Sequence, residues 1–303
     1  MTLTELRYVV AVAESRHFGR AAERCFVSQP SLSASIKNLE EELGVRLFER
    51  GKRGVFLTAV GEQIVAQARR ALAEAERVKA VARARQDPLK GVLRLGIIHT
   101  VAPYLLPELV RALRRSAPGM PLDVEENMTA TLDRMLKAGE IDAVIVALPY
   151  EGPGIETAPL YEERFRVAAP AQHPLARRKS IAVEELDAGE LLLLPVGHCF
   201  RDQVLDACQE FSRPPEPGRQ GNSLETLRSM VASGLGVTVL PATALVPKYA
   251  NPLVKAVEFS EPRPLRRIAL AWRSGFYRKA ALDKLIDTVR GLDLPVKPLQ
   301  AAS

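Results

Sequence analysis

"FGRAAERCFVSQPSLSASIKNLEEELG", residues 18–44, decides how the first third of this chain folds. Gly19 to Phe26 is Ala-rich and reads as a short helix, which Val27 and Ser28 interrupt. Ser28 is placed to cap a second helix, and Pro30 falls in its first turn, where a missing N–H costs nothing. Ile36, Leu39 and Leu43 then recur at helical spacing, and Gly44 ends the element. Helix, tight turn and capped helix make a helix-turn-helix. The alternative is a plain helical hairpin in a bundle. The opening of the second helix favours DNA. Ser28, Gln29, Pro30, Ser31 and Ser33, with Lys37 further along, carry no acidic group to meet phosphate oxygens in a major groove.

Working outward, "LFERGKRGVFLTAVG" (47–61) sets two short apolar runs around a basic tip that includes Arg50, Lys52 and Arg53. This is the pattern of a β-hairpin wing reaching a DNA backbone or minor groove. Residues 59–87 read as one long polar, Ala-rich helix ending before Pro88. Ile64, Ala68, Ala71, Ala75, Val78 and Ala82 form a weak heptad seam, suited to dimerisation or to docking on the same domain.

Charge follows this division. Residues 1–90 hold 16 Lys and Arg against 11 Asp and Glu, and residues 91–303 hold 26 against 25, so nearly all of the net +6 lies in the first third. The implication is an anion-binding head on a nearly neutral body. The length of 303 residues suits two or three domains. No basic stretch followed by an apolar run opens the chain, and no uncharged apolar run of about 18 residues occurs, so neither a signal peptide nor a membrane span is expected. Three cysteines fit a reducing cytoplasm, where a disulfide is usually transient, catalytic or sensory.

After Pro88 strands alternate with helices. "GVLRLGII", "MPLDVEEN" and "IDAVIVAL" read as strands around the helices "YLLPELVRALRRSA" and "TLDRMLKAGE", a βαβαβ unit of a parallel sheet. "RFRVAAP", "LLLLPV", "VTVLP" and "RIALAWR" supply further strands, with helices at 201–211, 223–233 and 276–291. Two α/β subdomains around a cleft fit this order, the second inserted at about 163–267. No metal-ligand spacing, P-loop, G-x-S-x-G or kinase signature occurs, so no metal, cofactor or enzymatic turnover is expected. His17, His99 and His173 are scattered and read as structural, and Gly234 and Gly236 as a helix end and tight turn.

"GHCFRDQVLDAC" (197–208) holds Cys199 and Cys208 at the ends of a helical pattern. Nine helical steps advance about 13.5 Å, whereas a disulfide needs Cα atoms about 4.4–6.8 Å apart. Pairing therefore requires the segment to unfold. Cys199 follows a strand and Gly197, at a helix N-terminus that favours an anion, with His198 and Arg201 close in sequence. Cys208 reads either as its resolving partner or as a small buried residue. Cys25, on the first helix of the pair, reads as buried.

The stretch from Leu6 to Thr58, together with "APAQHPLA" and "MVASGLGVTVLP", resembles the LysR-type transcriptional regulators over nearly the whole chain. The resemblance implies a winged helix-turn-helix (1–58), a linker helix (59–88) and a regulatory domain (89–303) of two Rossmann-like subdomains, like a periplasmic solute-binding protein. The segment 197–208 ahead of "SLETLRSMVASGLGVTVLP" is similar to the redox segment of the peroxide-sensing members. Carried over position by position, this implies Cys199 as the peroxide-reactive thiol and Cys208 as the resolving one. His198, Arg201 and Asp202 line the site, Thr100 and Thr129 supply pocket hydroxyls, and Arg266 favours the thiolate. Promoter DNA, hydrogen peroxide, a homo-oligomer built as a dimer of dimers, RNA polymerase and a thiol reductant are the implied partners, in the cytoplasm. Two positions depart from the pattern. Ala102 stands where Gly is expected, and the Pro-rich loop 211–221 is short. The competing readings are a regulator that binds an organic inducer in the cleft, and a thiol peroxidase with a DNA-binding appendage.

Overall fold

The computed structural model describes residues 1–51, 54–84, 87–187, 189–207 and 219–299. The chain divides into two compact units, a head and a body. Among the described residues, no helix is long and apolar enough to cross a membrane.

The head opens with α1 (Leu3–Ser15), fixed by a capping box in which Thr2 and Glu5 exchange side-chain and backbone hydrogen bonds. Leu6, Val9 and Val12, three apart, bury into the head core, and this helix is additional to those expected from the sequence. α2 (Phe18–Arg24) is capped by His17, whose Nδ1 accepts from the amides of Gly19 and Arg20. α3 (Gln29–Leu43) starts at the Ser28 cap and stops at Gly44, at φ +68. Its Leu32, Ile36 and Leu39 pack with Val9, Val12 and Leu47. β1 (Phe48–Gly51) and β2 (Gly54–Leu57) pair antiparallel as the wing. Glu40 of α3 anchors the wing by accepting from the amides of Leu47 at 2.6 Å and Phe48 at 3.1 Å. α4 (Ala59–Ala84) turns Val65 and Ala68 into the head core, with Ile64 and Leu72 packed against it, so the first two residues of the expected seam, Ile64 and Ala68, dock on their own domain. Val78 of that seam is exposed.

In the body, β3 (Leu93–Ile98), α5 (Ala102–Ser116), β4 (Leu122–Asn127), α6 (Thr129–Ala138) and β5 (Ala143–Ala147) form the expected unit, with β3 parallel to both β4 and β5. β6 (Ile155–Pro170) runs through both halves of the body. After it come β7 (Ser180–Ile181), β8 (Leu191–Leu192), α7 (Cys199–Ala207), α8 (Leu224–Ala232), β9 (Val237–Pro241) and β10 (Val254–Phe259). β11 (Leu265–Arg273), α9 (Lys279–Arg290) and β12 (Lys297–Pro298) complete the order. The strands lie β4-β3-β5-β11-β6-β10-β7, with β9 pairing β6 and β8.

The first half of β6 pairs β11 and its second half pairs β9 and β10, all antiparallel. Each half covers its own core. One is built on Leu95, Ile97, Val144, Leu270 and Leu285, the other on Phe165, Val167, Leu192, Val239 and Phe259. The strand begins nine residues before the expected "RFRVAAP". Pro159 hid this half, because Pro argues against a central strand. Here it sits beside a bulge, where the register with β11 shifts between Ile268 and Ala269. "LLLLPV", by contrast, pairs only at Leu191–Leu192 and at a bridge from Leu193 to Gln220.

Where β6 and β11 pass from one subdomain to the other, Glu163 and Arg266 stand opposite in register with fully buried side chains, 2.7 Å apart. Glu163 also accepts from the amide of Thr243 at 2.9 Å and from its hydroxyl. Removing one partner of a buried pair leaves an uncompensated charge, typically worth about 3–5 kcal/mol. Glu163→Ala is expected to lower the urea-unfolding stability of the body by that amount. Glu163→Leu combined with Arg266→Met should recover most of it, and a fully additive pair of losses would show that the two charges do not depend on each other.

Candidate functional site

Three segments of the body end at one small cavity. Ile98–Thr100 leave the carboxyl end of β3, Asn127–Thr129 join β4 to α6, and Gly197–Cys199 enter α7. Crevices at the carboxyl ends of parallel strands are the usual ligand sites of such sheets. The amino ends of α6 and α7 also favour negative charge in the cavity. Its volume is about 10 Å³, which is about what one water needs. It shares His99, Met128 and His198 with a recess of about 200 Å³ lined also by Tyr104, Pro195 and Glu225, which forms a vestibule.

Cys199 is half-buried at the first position of α7. Gly197 makes the turn into the helix at φ +102, a conformation that L side chains rarely adopt. Thr100 is buried, and its Oγ1 accepts from Arg266 Nη1 at 2.8 Å while its carbonyl accepts from Nη2 at 3.0 Å. With one lone pair engaged by the guanidinium, the Thr100 hydroxyl keeps its own proton to donate. Thr129 Oγ1 is buried with no hydrogen-bond partner among the described residues. A buried hydroxyl left unpaired costs free energy that a small polar occupant restores.

His198 is buried beside Cys199, and its ring lies 5.7 Å from that of His99. Burial first, and then repulsion from His99, push its pKa below the ordinary imidazole value. His99 in turn lies 3.1 Å from Glu126. It was read from sequence as structural, yet it stands on the cavity wall. Its position next to Thr100 was the available signal. His17 and His173 serve as caps, the latter accepting from the amide of Leu175.

The other residues carried over from the resemblance are placed differently. Arg266 lies outside the cavity wall. Its guanidinium pairs Glu163, holds Thr100 and stacks over Phe200 at 4.9 Å, so it acts on the site through those neighbours. Arg201 is buried, and its Nη1 donates to Leu194 O at 3.3 Å, closing the loop into α7. Asp202 is exposed and does not line the cavity. Phe200 and Val204 bury into the second core, and a residue two steps from each turns to the opposite face. Ala102 is fully buried in the first core at the start of α5. Cys208 and the 211–218 part of the short loop lie outside the described residues, and Cys25 is half-buried.

In the head, Ser28, Gln29, Pro30 and Ser31 are exposed at the start of α3, and Ser28 Oγ accepts from the Ser31 amide at 3.3 Å. Ser33 is half-buried. Lys37 is exposed and forms an ion pair with Glu41 at 3.5 Å. Arg50 stands on β1 opposite Val55, while Lys52 and Arg53 lie outside the described residues.

The comparisons with known proteins bear on both units. Residues 3–62 match the family described as bacterial regulatory helix-turn-helix protein, lysR family, and residues 86–293 match the LysR substrate binding domain. The chain is 38% identical to the hydrogen peroxide-inducible genes activator of Dickeya chrysanthemi, with 100% of both chains covered. It is similar to full-length OxyR of Pseudomonas aeruginosa carrying a cysteine-to-aspartate substitution, at 49% identity and a TM-score of 0.78, covering 97% of this chain and 99% of that one. A cysteine-to-serine mutant of Corynebacterium glutamicum OxyR, bound to hydrogen peroxide, matches at 35% identity and a TM-score of 0.65, covering 95% and 91%.

The buried state of His198 has a measurable consequence. Its folded pKa is depressed, so below the ordinary value of about 6.5 the unfolded chain takes up this proton first and stability falls with pH. Urea unfolding of the reduced chain between pH 7.5 and 5.5 is expected to show a steeper loss in the wild type than in His198→Gln. Equal slopes would mean that the ring is not held neutral. With a lysR-family helix-turn-helix in its head and a LysR substrate binding domain as its body, the chain belongs to the LysR family of bacterial regulators.

Proposed function

We propose that this chain is a DNA-binding transcriptional regulator that senses hydrogen peroxide through Cys199, and not an enzyme working by turnover. The observation that carries the reading is the unpaired Thr129 hydroxyl beside Thr100 and Cys199 in a cavity of about 10 Å³. Peroxide is small, uncharged and both a donor and an acceptor, which suits a cavity with hydroxyls and a neutral imidazole. One oxygen fits the inner space, and the other faces the vestibule.

In the reaction the Cys199 thiolate attacks one oxygen in line with the O–O bond. The bond breaks, the second oxygen leaves with the electron pair, and a proton from solvent, relayed by the threonine hydroxyls, makes it water. Donors aimed at that oxygen act where the charge grows. Cys199 becomes a sulfenic acid, which Cys208 condenses with to form a disulfide and a second water. α7 has to unwind for the two sulfurs to meet, because a helix spanning them separates them by about 13.5 Å. A thiol reductant resets the pair. The refolded segment is the two-state element that re-spaces the heads (1–58) through the linker (59–88), in a dimer of dimers acting on promoter DNA and RNA polymerase in the cytoplasm.

A second reading has its own observation. A cavity of about 1040 Å³ borders the carboxyl half of α7, lined among others by Leu148, Tyr150, Gln203 and Arg263. Gln203 Oε1 is buried there without a partner among the described residues. An organic inducer seated in it would act on the same helix without thiol chemistry.

Titration of the reduced full-length chain with peroxide, then thiol blocking and peptide mass spectrometry without reductant, separates the two. A linked Cys199–Cys208 peptide at about one peroxide per chain is the expected result, with Thr129→Val slowing its formation. Cys208→Ser should leave Cys199 as a sulfenic acid and abolish the change in DNA binding. An unchanged response in Cys208→Ser would favour the inducer, and rapid multiple turnover with a thiol would make the chain a peroxidase.

A further inference from the structure

The turn of the helix-turn-helix carries a side chain that the fold does not use. α2 ends with the Val27 amide donating to Ala22 O at 3.0 Å and the Phe26 amide to Glu23 O at 3.1 Å, the paired bonds of a Schellman termination. These bonds put Phe26 at φ +56. Gly or Asn usually fills that position, and a bulky L residue is strained in it. Packing would normally compensate an aromatic ring. Phe26, however, is 95% exposed, more than any other large apolar residue described, and is not part of the head core.

Neither helix termination nor burial therefore explains a phenyl ring here. Strain held at an exposed position points to a function for the side chain. Phe26 stands two residues ahead of the Ser28 cap, next to the exposed run Ser28, Gln29, Pro30 and Ser31. That run is the surface assigned above to the major groove. Its polar groups read hydrogen-bonding edges, and the small ring of Pro30 is the one apolar side chain in the run. An exposed aromatic ring is a partner for the one apolar group that base pairs display there, the thymine C5-methyl.

We infer that Phe26 is a sequence-reading residue of the head, whose ring packs on the C5-methyl of a thymine beside the bases met by the start of α3. This rests on the DNA-binding reading of the head. The contact adds preference for thymine at one step and no charge, so it leaves the salt dependence of binding to the basic residues.

The test uses duplexes that the full-length wild-type chain enriches from a random-sequence library. On such a duplex Phe26→Asn is expected to bind about five- to tenfold more weakly. Its binding to an unselected duplex and the slope of affinity against salt should stay unchanged, and its Tm should be equal or higher because Asn suits the backbone. Replacing thymines one at a time by deoxyuridine removes single methyl groups. One such replacement should weaken the wild type several-fold and leave Phe26→Asn unaffected. If Phe26→Asn keeps wild-type affinity, or no methyl distinguishes the two proteins, the inference falls while DNA binding by the head stands. If the wild type enriches no duplex, both fall.

Discussion

The buried pair of Glu163 and Arg266 is the constraint on which the body depends. Moving two charges out of water costs several kcal/mol per ion, and such a pair persists only when the remaining hydrogen-bonding capacity is filled. Here it is filled from both sides of the subdomain crossing. Thr243 donates to the carboxylate from the second subdomain, and Thr100 accepts from the guanidinium in the first. The same guanidinium lies over Phe200, one residue past Cys199. A single ionic contact thus fixes the passage of β6 and β11, the orientation of a hydroxyl in the cavity and the seat of α7.

That arrangement explains why, among the described residues, neither arginine close to the site presents a free charge to it. Arg266 is matched by Glu163, Arg201 is turned to a backbone carbonyl, and His198 is kept neutral by burial and by its neighbour His99. What remains around Cys199 is two hydroxyls, two imidazoles and the amino ends of two helices. Dipoles of this kind hold a neutral polar molecule and stabilise charge only as it develops.

Much of this was legible from sequence where chemistry is local. Ser28, Pro30 and Gly44 mark the ends of α3 by rules that need no distant partner, and the apolar spacing behind them reports its buried face. The βαβαβ order of the body was equally readable. Legibility failed where the deciding partner is far along the chain. Pro159 masked half of β6 because its bulge is defined only against Ile268 and Ala269, and Arg266 declared its charge but not the carboxylate 103 residues away that absorbs it. Asp202 was misplaced because the side of α7 that faces inward is chosen by Phe200 and Val204 through the second core. His99 looked isolated until β3 brought it against His198.

The size of the cavity also limits what can meet the thiol from that side. A space of about 10 Å³ has room for about one water-sized group, so whatever meets Cys199 from the cavity side must be small. On the function proposed above, oxidation begins with every element in place, and Cys199 leaves the cavity as α7 unwinds to form the disulfide. The cavity then selects what can start the change, while how long the change lasts is set by the unwound segment, a part of the chain that the cavity no longer encloses.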